Sequence, residues 1–527
     1  MVDDEFVMDM DSSKLSGVSN VFANISRTKK TNLSPVKEPW GKIPPLAKGQ
    51  FHYLASIWLR AGAEPQHGIG GNVLEFRFAS YFQNYMVLQR GGKGALIWGF
   101  GEPKAVVSLT FHLEWIARRT SDLQGHENST MPKGRGHEVI VSDDGIWQIR
   151  LPPTEAGGPY EIRAWSTVSG TNLDIKINSV LFGDVWLCSG QSNMEFRVEW
   201  MMGGLEELKN ASSFSNVRFM EVMQASSYAP ILEPIIRSGW AQPNEATLKE
   251  FSGACWYFGR RLQKTLRIPV GLIGSYYGGS ALKTWVDREG ISNCLKQIAK
   301  HRPRIYDDAV LWNGMVKPLT QLDIKGVLWY QGEADSYEDH NSFLCLMPAM
   351  IDSWRKHFRQ PSMPFGIVQL ACPPEQKHPG WSSVRWHQTA DIGVVPNDIL
   401  RNVFMAVALD LCDPKSPYGS IHPRYKIEIG ERLLLGALSL AYHIPTPFQG
   451  PSPAYSSRVD NKVIVTFRDG PIVLRGNSAS AFEVCCGYSN ASRSDSSWND
   501  CSQWDAVKQA PRICVVELLV MVLKMLS

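Results

Sequence analysis

From Phe76 to Ile177 apolar residues recur at every second position in short runs, YMVLQR, GALIWGF, AVVSLTF, IWQIRL, YEIRAW and LDIKI, separated by Gly-Gly, Asp-Gly and Gly-Pro. A period of two marks strands with one buried face, and strands at this spacing predict a β-sandwich-like region over residues 76–180. After Val180 the alternation gives way to continuous apolar runs separated by helical patterns. The runs are DVWL, PVGLIGS (Pro269–Ser275), KGVLWYQ (Lys325–Gln331) and VFMAVALDL (Val403–Leu411). Runs apolar on both faces are what parallel strands buried between helices require. Phe251–Arg267 reads as a helix, and Glu428–His443 as an amphipathic one with Leu434, Ala437, Leu438 and Ala441 on one face. The pattern over residues 181–444 therefore predicts an α/β fold, a three-layer domain on a parallel sheet. Short β-like runs return in KVIVTF, PIVLRG and AFEVCCG, predicting a C-terminal β region over residues 445–527 that ends in an atypical apolar tail, ICVVELLVMVLKMLS. Residues 1–75, rich in Ser, Lys, Pro and Gly without sustained periodicity, are expected to be a disordered or poorly packed extension.

Composition narrows the partners. A net charge of +3, with no Lys/Arg run beyond short pairs, provides no basic stripe for nucleic acid. The 10 cysteines include no CxxC spacing, so neither a thiolate metal site nor a redox motif is expected, while disulfides are permitted. Neither Phe51–Pro65 nor Ile513–Ser527 is long and uninterrupted enough to span a bilayer, and no membrane partner is expected. The acidic N-terminus, MVDDEFVMDMDSSKLSG, does not read as a signal peptide, which leaves a cytoplasmic location open. Asn-X-Ser/Thr sequons at Asn24, Asn32, Asn128, Asn210 and Asn490 weigh mildly toward a secretory route.

The polar residues that interrupt the apolar runs carry the chemistry. Four clusters follow the C-terminal ends of predicted parallel strands, where open α/β sheets place their ligands. They are CSGQSNM, SYYGGS, QGEAD and CDPKSPYGSIHPRYK. Each alone is compatible with a turn or a solvated loop; converging on one sheet edge, they form a site. Ser192 can supply a hydroxyl nucleophile and His422 its base. Backbone N–H groups around Ser192 and Gly278-Gly279, with the Gln331 amide, can supply donors to an oxyanion. Trp329 and Tyr330 read first as core residues of their strand.

GDVWLCSGQSNM, GLIGSYYGG, VLWYQGEAD and SIHPRYK together closely resemble the sialic acid acetylesterases of the SGNH hydrolase superfamily. The resemblance runs from about Phe76 through RWHQTAD and LDLCD to about Cys486. It implies an SGNH-hydrolase-like α/β domain with β-sandwich-like accessory regions before and after it. The implied activity is hydrolysis of O-acetyl esters of sialic acids, 9-O-acetyl and also 4-O-acetyl, through an acetyl-enzyme and without cofactor or metal. It further implies Ser192 as nucleophile, His422 as general base and acid, and Gln331 and one of Gly278 and Gly279 as oxyanion donors. Candidate substrate contacts are Gln191, Asn193, Tyr277, Glu333, Trp329 and Arg385, and relatives of this type imply a lysosomal or secreted protein.

One departure bears on mechanism. Many SGNH enzymes carry an Asp two or three residues before the histidine, where this chain has Ser420 and Gly419. Asp413 is taken as the candidate orienting carboxylate; Asp410, Asp335, Glu333, or a dyad steadied by a backbone carbonyl are the alternatives. Two other functions compete with the leading one, an acetylesterase for other acetylated carbohydrates and a non-catalytic carbohydrate-binding protein.

Overall fold

The computed structural model describes residues 5–9, 75–114, 137–297, 308–373 and 379–450, together with strand residues 453–459, 462–467, 482–484 and 518–520. Its centre is a parallel sheet of six strands: β1 (Thr171–Gly190), β2 (Val217–Val222), β3 (Val270–Tyr276), β4 (Gly326–Tyr330), β5 (Phe365–Gln369) and β6 (Val403–Val407). Their spatial order is β2-β3-β1-β4-β5-β6, with Ile236–Ala241 added antiparallel outside β2. The helices that matter for the site are α1 (Ser192–Glu195), α2 (Gly253–Leu266), α3 (Glu333–Tyr337), α4 (Phe343–His357), α5 (Pro379–His387) and α6 (Lys426–Leu440).

Side-chain alternation shows how the layers stack. Trp186 and Ser189 are an odd number of residues apart on β1 and face opposite sides. Trp186 meets Phe258 of α2 edge-on, with ring centroids 5.0 Å apart. Trp329 of β4, in register with Ser189, meets Trp354 of α4 and Trp285 at 5.7 Å each. The sheet is thus sandwiched between α2, which packs on α6, and α4. Burial on both faces explains why these strands read as unbroken apolar runs.

One strand joins the two textures seen in the sequence. The first half of β1 alternates between exposed and half-buried positions and pairs antiparallel with Gly157–Val168. Its second half is buried without interruption and pairs in parallel with β3 and β4. The expected division at residue 180/181 therefore falls inside a continuous strand. Asn178 and Ser179, residue types common in turns, lie within the strand, with Ser179 at φ 56°. Before β1, Arg77–Phe78, Leu96–Phe100 and Ile146–Arg150 form a three-stranded antiparallel sheet, while Val106–Leu113 pairs with His137–Ile140 and Gly157–Val168 in a second sheet.

Of the expected N-terminal extension, Glu5–Asp9 forms a strand paired with Lys462–Phe467, which also pairs with Pro453–Val459; residues 10–74 lie outside the described residues. In the apolar tail Leu518–Val520 pairs with Phe482–Val484. Among the described residues, no helix is long and apolar enough to cross a membrane. Of the sequons, Asn210 is exposed at the end of helix Gly204–Asn210, and the other four lie outside the described residues.

Among the described residues three disulfides, Cys188–Cys255, Cys294–Cys345 and Cys372–Cys412, staple the domain. The first ties β1 to α2 just before the Ser192 turn. The third ties the segment after β5 to the loop after β6, which carries His422.

Candidate active site

Register brings three of the four polar loops level. Gly190 at the end of β1 pairs with Tyr276 of β3 on one side and Tyr330 of β4 on the other. Residues 191–195, 277–280 and 331–335 therefore emerge side by side from the carboxyl ends of adjacent strands. Gly190 is required there: its φ is 137°, and a Cβ would stand 2.1 Å from the Tyr330 carbonyl oxygen. The turn after it is held from within. Gln191 donates its N–H to the Tyr330 carbonyl at 3.0 Å, and its side-chain oxygen accepts from Ala334 N–H at 3.2 Å. Ser189 donates its hydroxyl to the Ser275 carbonyl at 2.5 Å, a structural bond between strand ends.

The fourth loop, after β6, brings His422 to Ser192. His422 Nε2 lies 2.9 Å from Ser192 Oγ, and Nδ1 lies 2.8 Å from the Tyr418 carbonyl oxygen. A carbonyl only accepts, so Nδ1 carries the proton and Nε2 is left as the acceptor for the serine hydroxyl. Burial holds the imidazole below its ordinary pKa; the Tyr418 bond opposes this and the nearby Lys426 ammonium adds to it. The loop is shaped for this pose, with His422 N–H donating to Gly419 O at 2.9 Å and Ser416 Oγ donating to His422 O at 2.7 Å. A neutral imidazole in this tautomer can take the serine proton.

The structure corrects the expected orienting carboxylate. Asp413 is engaged by Arg424, which donates from Nε at 2.6 Å, from Nη2 at 3.0 Å and from its backbone N–H at 3.2 Å. That pairing keeps the Asp413 carboxyl below its usual range. Asp410 pairs with Arg432 at 2.6 and 2.8 Å. The place behind the histidine belongs to the Tyr418 carbonyl.

Gln331 is fully buried beside the site. Its amide nitrogen donates to the Ser280 carbonyl at 3.0 Å and to Asp335, so both hydrogens are engaged, while its Oε1 has no hydrogen-bond partner among the described residues. Burial raises the Asp335 carboxyl to about 7, against the Gln331 and Leu282 bonds. The two glycines differ. Gly278 stands against Ser192 and Glu195: a Cβ there would lie 3.6 Å from the Ser192 Cβ and 3.1 Å from Glu195 Oε2, and the Gly278 N–H is turned to that carboxylate. Gly279, at φ 71°, is exposed with open space around it.

The remaining candidates separate by burial. Trp329 is fully buried against Trp285 and Trp354, so its ring belongs to the core and not to a substrate surface. Gln191, Asn193 and Glu333 are also buried and bonded within the protein. Tyr277 is half-buried next to Gly278, and Arg385 is half-buried on α5, which packs against α3.

Three groups at the site escape the sequence reading. Gln388 clamps the sheet edge, its amide nitrogen donating to Val368 O at 3.0 Å and Gln331 O at 3.3 Å. Glu195 is raised above its ordinary pKa by burial, opposed by a Gln224 bond, Arg237, the Gly278 N–H and Arg197; its neighbour Glu221 is raised to about 7 by burial. Lys426 is fully buried with its ammonium on Asn193. Glu195 and Lys426 do lie close to residues already singled out, three after Ser192 and four after His422.

Residues 182–424 match the family model of carbohydrate esterases described as sialic acid-specific acetylesterases. The sialate O-acetylesterase of Homo sapiens is 38% identical over 450 residues, covering 80% of this chain and 82% of that protein. That of Rattus norvegicus is 35% identical over 468 residues, covering 79% and 83%. Among solved structures, a carbohydrate acetylesterase from Xanthomonas citri superposes with a TM-score of 0.61 at 27% identity, covering 74% of this chain and 81% of that one.

Proposed function

Since this chain belongs to the sialic acid-specific acetylesterase family and is an esterase, we propose that it hydrolyses 9-O-acetyl esters of sialic acid with a Ser192–His422 dyad. The observation that carries this reading is the 2.9 Å contact between Ser192 Oγ and an imidazole whose other nitrogen is fixed by the Tyr418 carbonyl. His422 removes the hydroxyl proton as Ser192 attacks the acetyl carbonyl, then returns it to the departing sugar oxygen. Water, deprotonated by the same imidazole, attacks the acetyl-enzyme and releases acetate. Because the imidazole sits below its ordinary pKa, the base stays neutral into the acidic range.

The developing oxyanion is received by backbone N–H groups at Ser192 and Gly279, neither engaged by another group among the described residues. Gln331 joins them by exchanging its 3.0 Å bond to the Ser280 carbonyl for one to the oxyanion, while Asp335 keeps the other amide hydrogen in place. Tyr277 and Arg385, both half-buried, are the candidates retained for contacts with the sugar. Three disulfides favour an oxidising compartment, secreted or lysosomal.

Acetate release from 9-O-acetylated sialic acid, measured beside acetylated xylan, tests the substrate. The expected result is faster turnover of the sialic acid ester, abolished in Ser192→Ala. Preferential turnover of xylan would reassign the enzyme to other acetylated carbohydrates, an outcome motivated by its likeness to the Xanthomonas citri carbohydrate acetylesterase.

A further inference from the structure

Lys426, the first residue of α6, is fully buried. Its Nζ donates to Asn193 Oδ1 at 2.6 Å and lies over the rings of Phe196 and Tyr330, 4.8 and 5.0 Å from their centroids. A buried ammonium is expensive unless its surroundings compensate, and among the described residues no carboxylate touches this one directly. Instead its partner is an amide with further commitments: Asn193 Nδ2 donates to Glu333 Oε1 at 2.5 Å and to the Ile421 carbonyl at 2.8 Å. Lysine has only donors, so it determines which way round the Asn193 amide lies.

The placement is what gives this chain of bonds a purpose. Asn193 follows Ser192, and Ile421 precedes His422. One amide therefore ties the serine turn to the histidine loop, with Lys426 and Glu333 locking it from either end. We propose that Lys426, acting through Asn193, is a positioning residue that holds Ser192 and His422 in register, a task that many related hydrolases share with a carboxylate behind the histidine. The proposal rests on the reading of Ser192 and His422 as nucleophile and base.

The charges around Lys426 make the role measurable. Facing it are Glu333 from α3, Asp413 and His422 from the loop after β6, and Tyr330 from β4. Burial lowers Lys426 to about 7, while Glu333 and Asp413 draw it back up. His422 titrates below its ordinary value, in a range where Lys426 holds its proton and repels the imidazolium. Without that ammonium the imidazolium is easier to form, the pKa of His422 rises, and the acid limb of the rate profile moves to higher pH. A role confined to packing would not move the limb in that direction.

The test compares wild-type protein, Lys426→Met, Asn193→Asp and Ser192→Ala for acetate release from 9-O-acetylated sialic acid across the acidic and neutral range. Lys426→Met is expected to lower kcat roughly 10- to 100-fold with KM within about twofold, the scale of a small misplacement of reacting groups, and to move the acid limb upward. Asn193→Asp keeps an acceptor for Lys426 but loses the donor to the Ile421 carbonyl, and is expected to lower kcat as well. An unchanged kcat and acid limb in Lys426→Met overturns the proposal; should that variant fail to fold, full kcat in Asn193→Asp overturns it. Activity retained by Ser192→Ala would instead refute the nucleophile assignment on which the proposal rests.

Discussion

Replacing Asp413 by asparagine separates a dyad from a hidden triad. Where a carboxylate sits on the catalytic imidazole, its replacement by an amide costs about 10⁴ in kcat, or roughly 5.5 kcal/mol of barrier, because the imidazole is left in the wrong tautomer. Here His422 Nδ1 donates to the Tyr418 carbonyl at 2.8 Å, and Asp413 is committed to Arg424 through three bonds between 2.6 and 3.2 Å. The substituted amide would keep one oxygen to accept from Arg424, so the loop keeps its shape and the tautomer is untouched. The expected outcome for Asp413→Asn is a fall in kcat/KM below about tenfold, the size of a loosened loop rather than a lost charge on the imidazole. The assay is acetate release at several pH values, with the melting midpoint measured in parallel. A loss of three or more powers of ten with an unchanged melting midpoint would show that Asp413 reaches the histidine in the working enzyme, and the dyad would be refuted.

Gln331→Ala removes one proposed oxyanion donor and should lower kcat about 10²- to 10³-fold; full turnover would take Gln331 out of the oxyanion site. Stability should depend on pH in a particular direction. Asp335 and Glu221 are raised to about 7 from 3.8 and 4.5, so the folded protein binds more protons than the unfolded chain between those values and about 7. Their effect is to make stability fall as pH rises through that window, and Lys426, lowered to about 7 from 10.5, makes it rise again above 7. The melting midpoint should therefore be higher near pH 5 than near pH 7, as scanning calorimetry would show, and Asp335→Asn and Glu221→Gln should flatten the difference. Opening the Cys372–Cys412 disulfide by Cys372→Ala with Cys412→Ala frees a loop closed over 40 residues, which in the chain-entropy account costs about 4 kcal/mol and should show as a lower denaturation midpoint.

What is legible in the sequence follows from burial. Parallel strands covered on both faces must be apolar throughout, so β1, β3, β4 and β6 stand out as runs, and the polar residues after them as loops at one sheet edge. Ser192, His422 and Gln331 become candidates by that route. Asp413 misleads because spacing cannot show that Arg424, across the loop, takes the carboxylate before the histidine does. Trp329 reads first as core, and the resemblance adds it as a candidate sugar contact; the structure sides with the core reading, since its strand is buried on both faces. Lys426 is hidden because a lysine at a helix start is ordinarily solvated and only the packed structure places it behind Asn193. The end of the accessory sheet cannot be placed from sequence because Asn178-Ser179 has turn chemistry, yet the chain carries it through β1 in one strand.

Covalent labelling by a fluorophosphonate with peptide mapping tests the proposed role of Ser192 as the nucleophile of this esterase. The expected result is a single adduct on the peptide containing Ser192, loss of acetate release from 9-O-acetylated sialic acid in step with labelling, and neither labelling nor release in Ser192→Ala. An adduct on another residue, or acetate release that persists after Ser192 is fully modified, would contradict it.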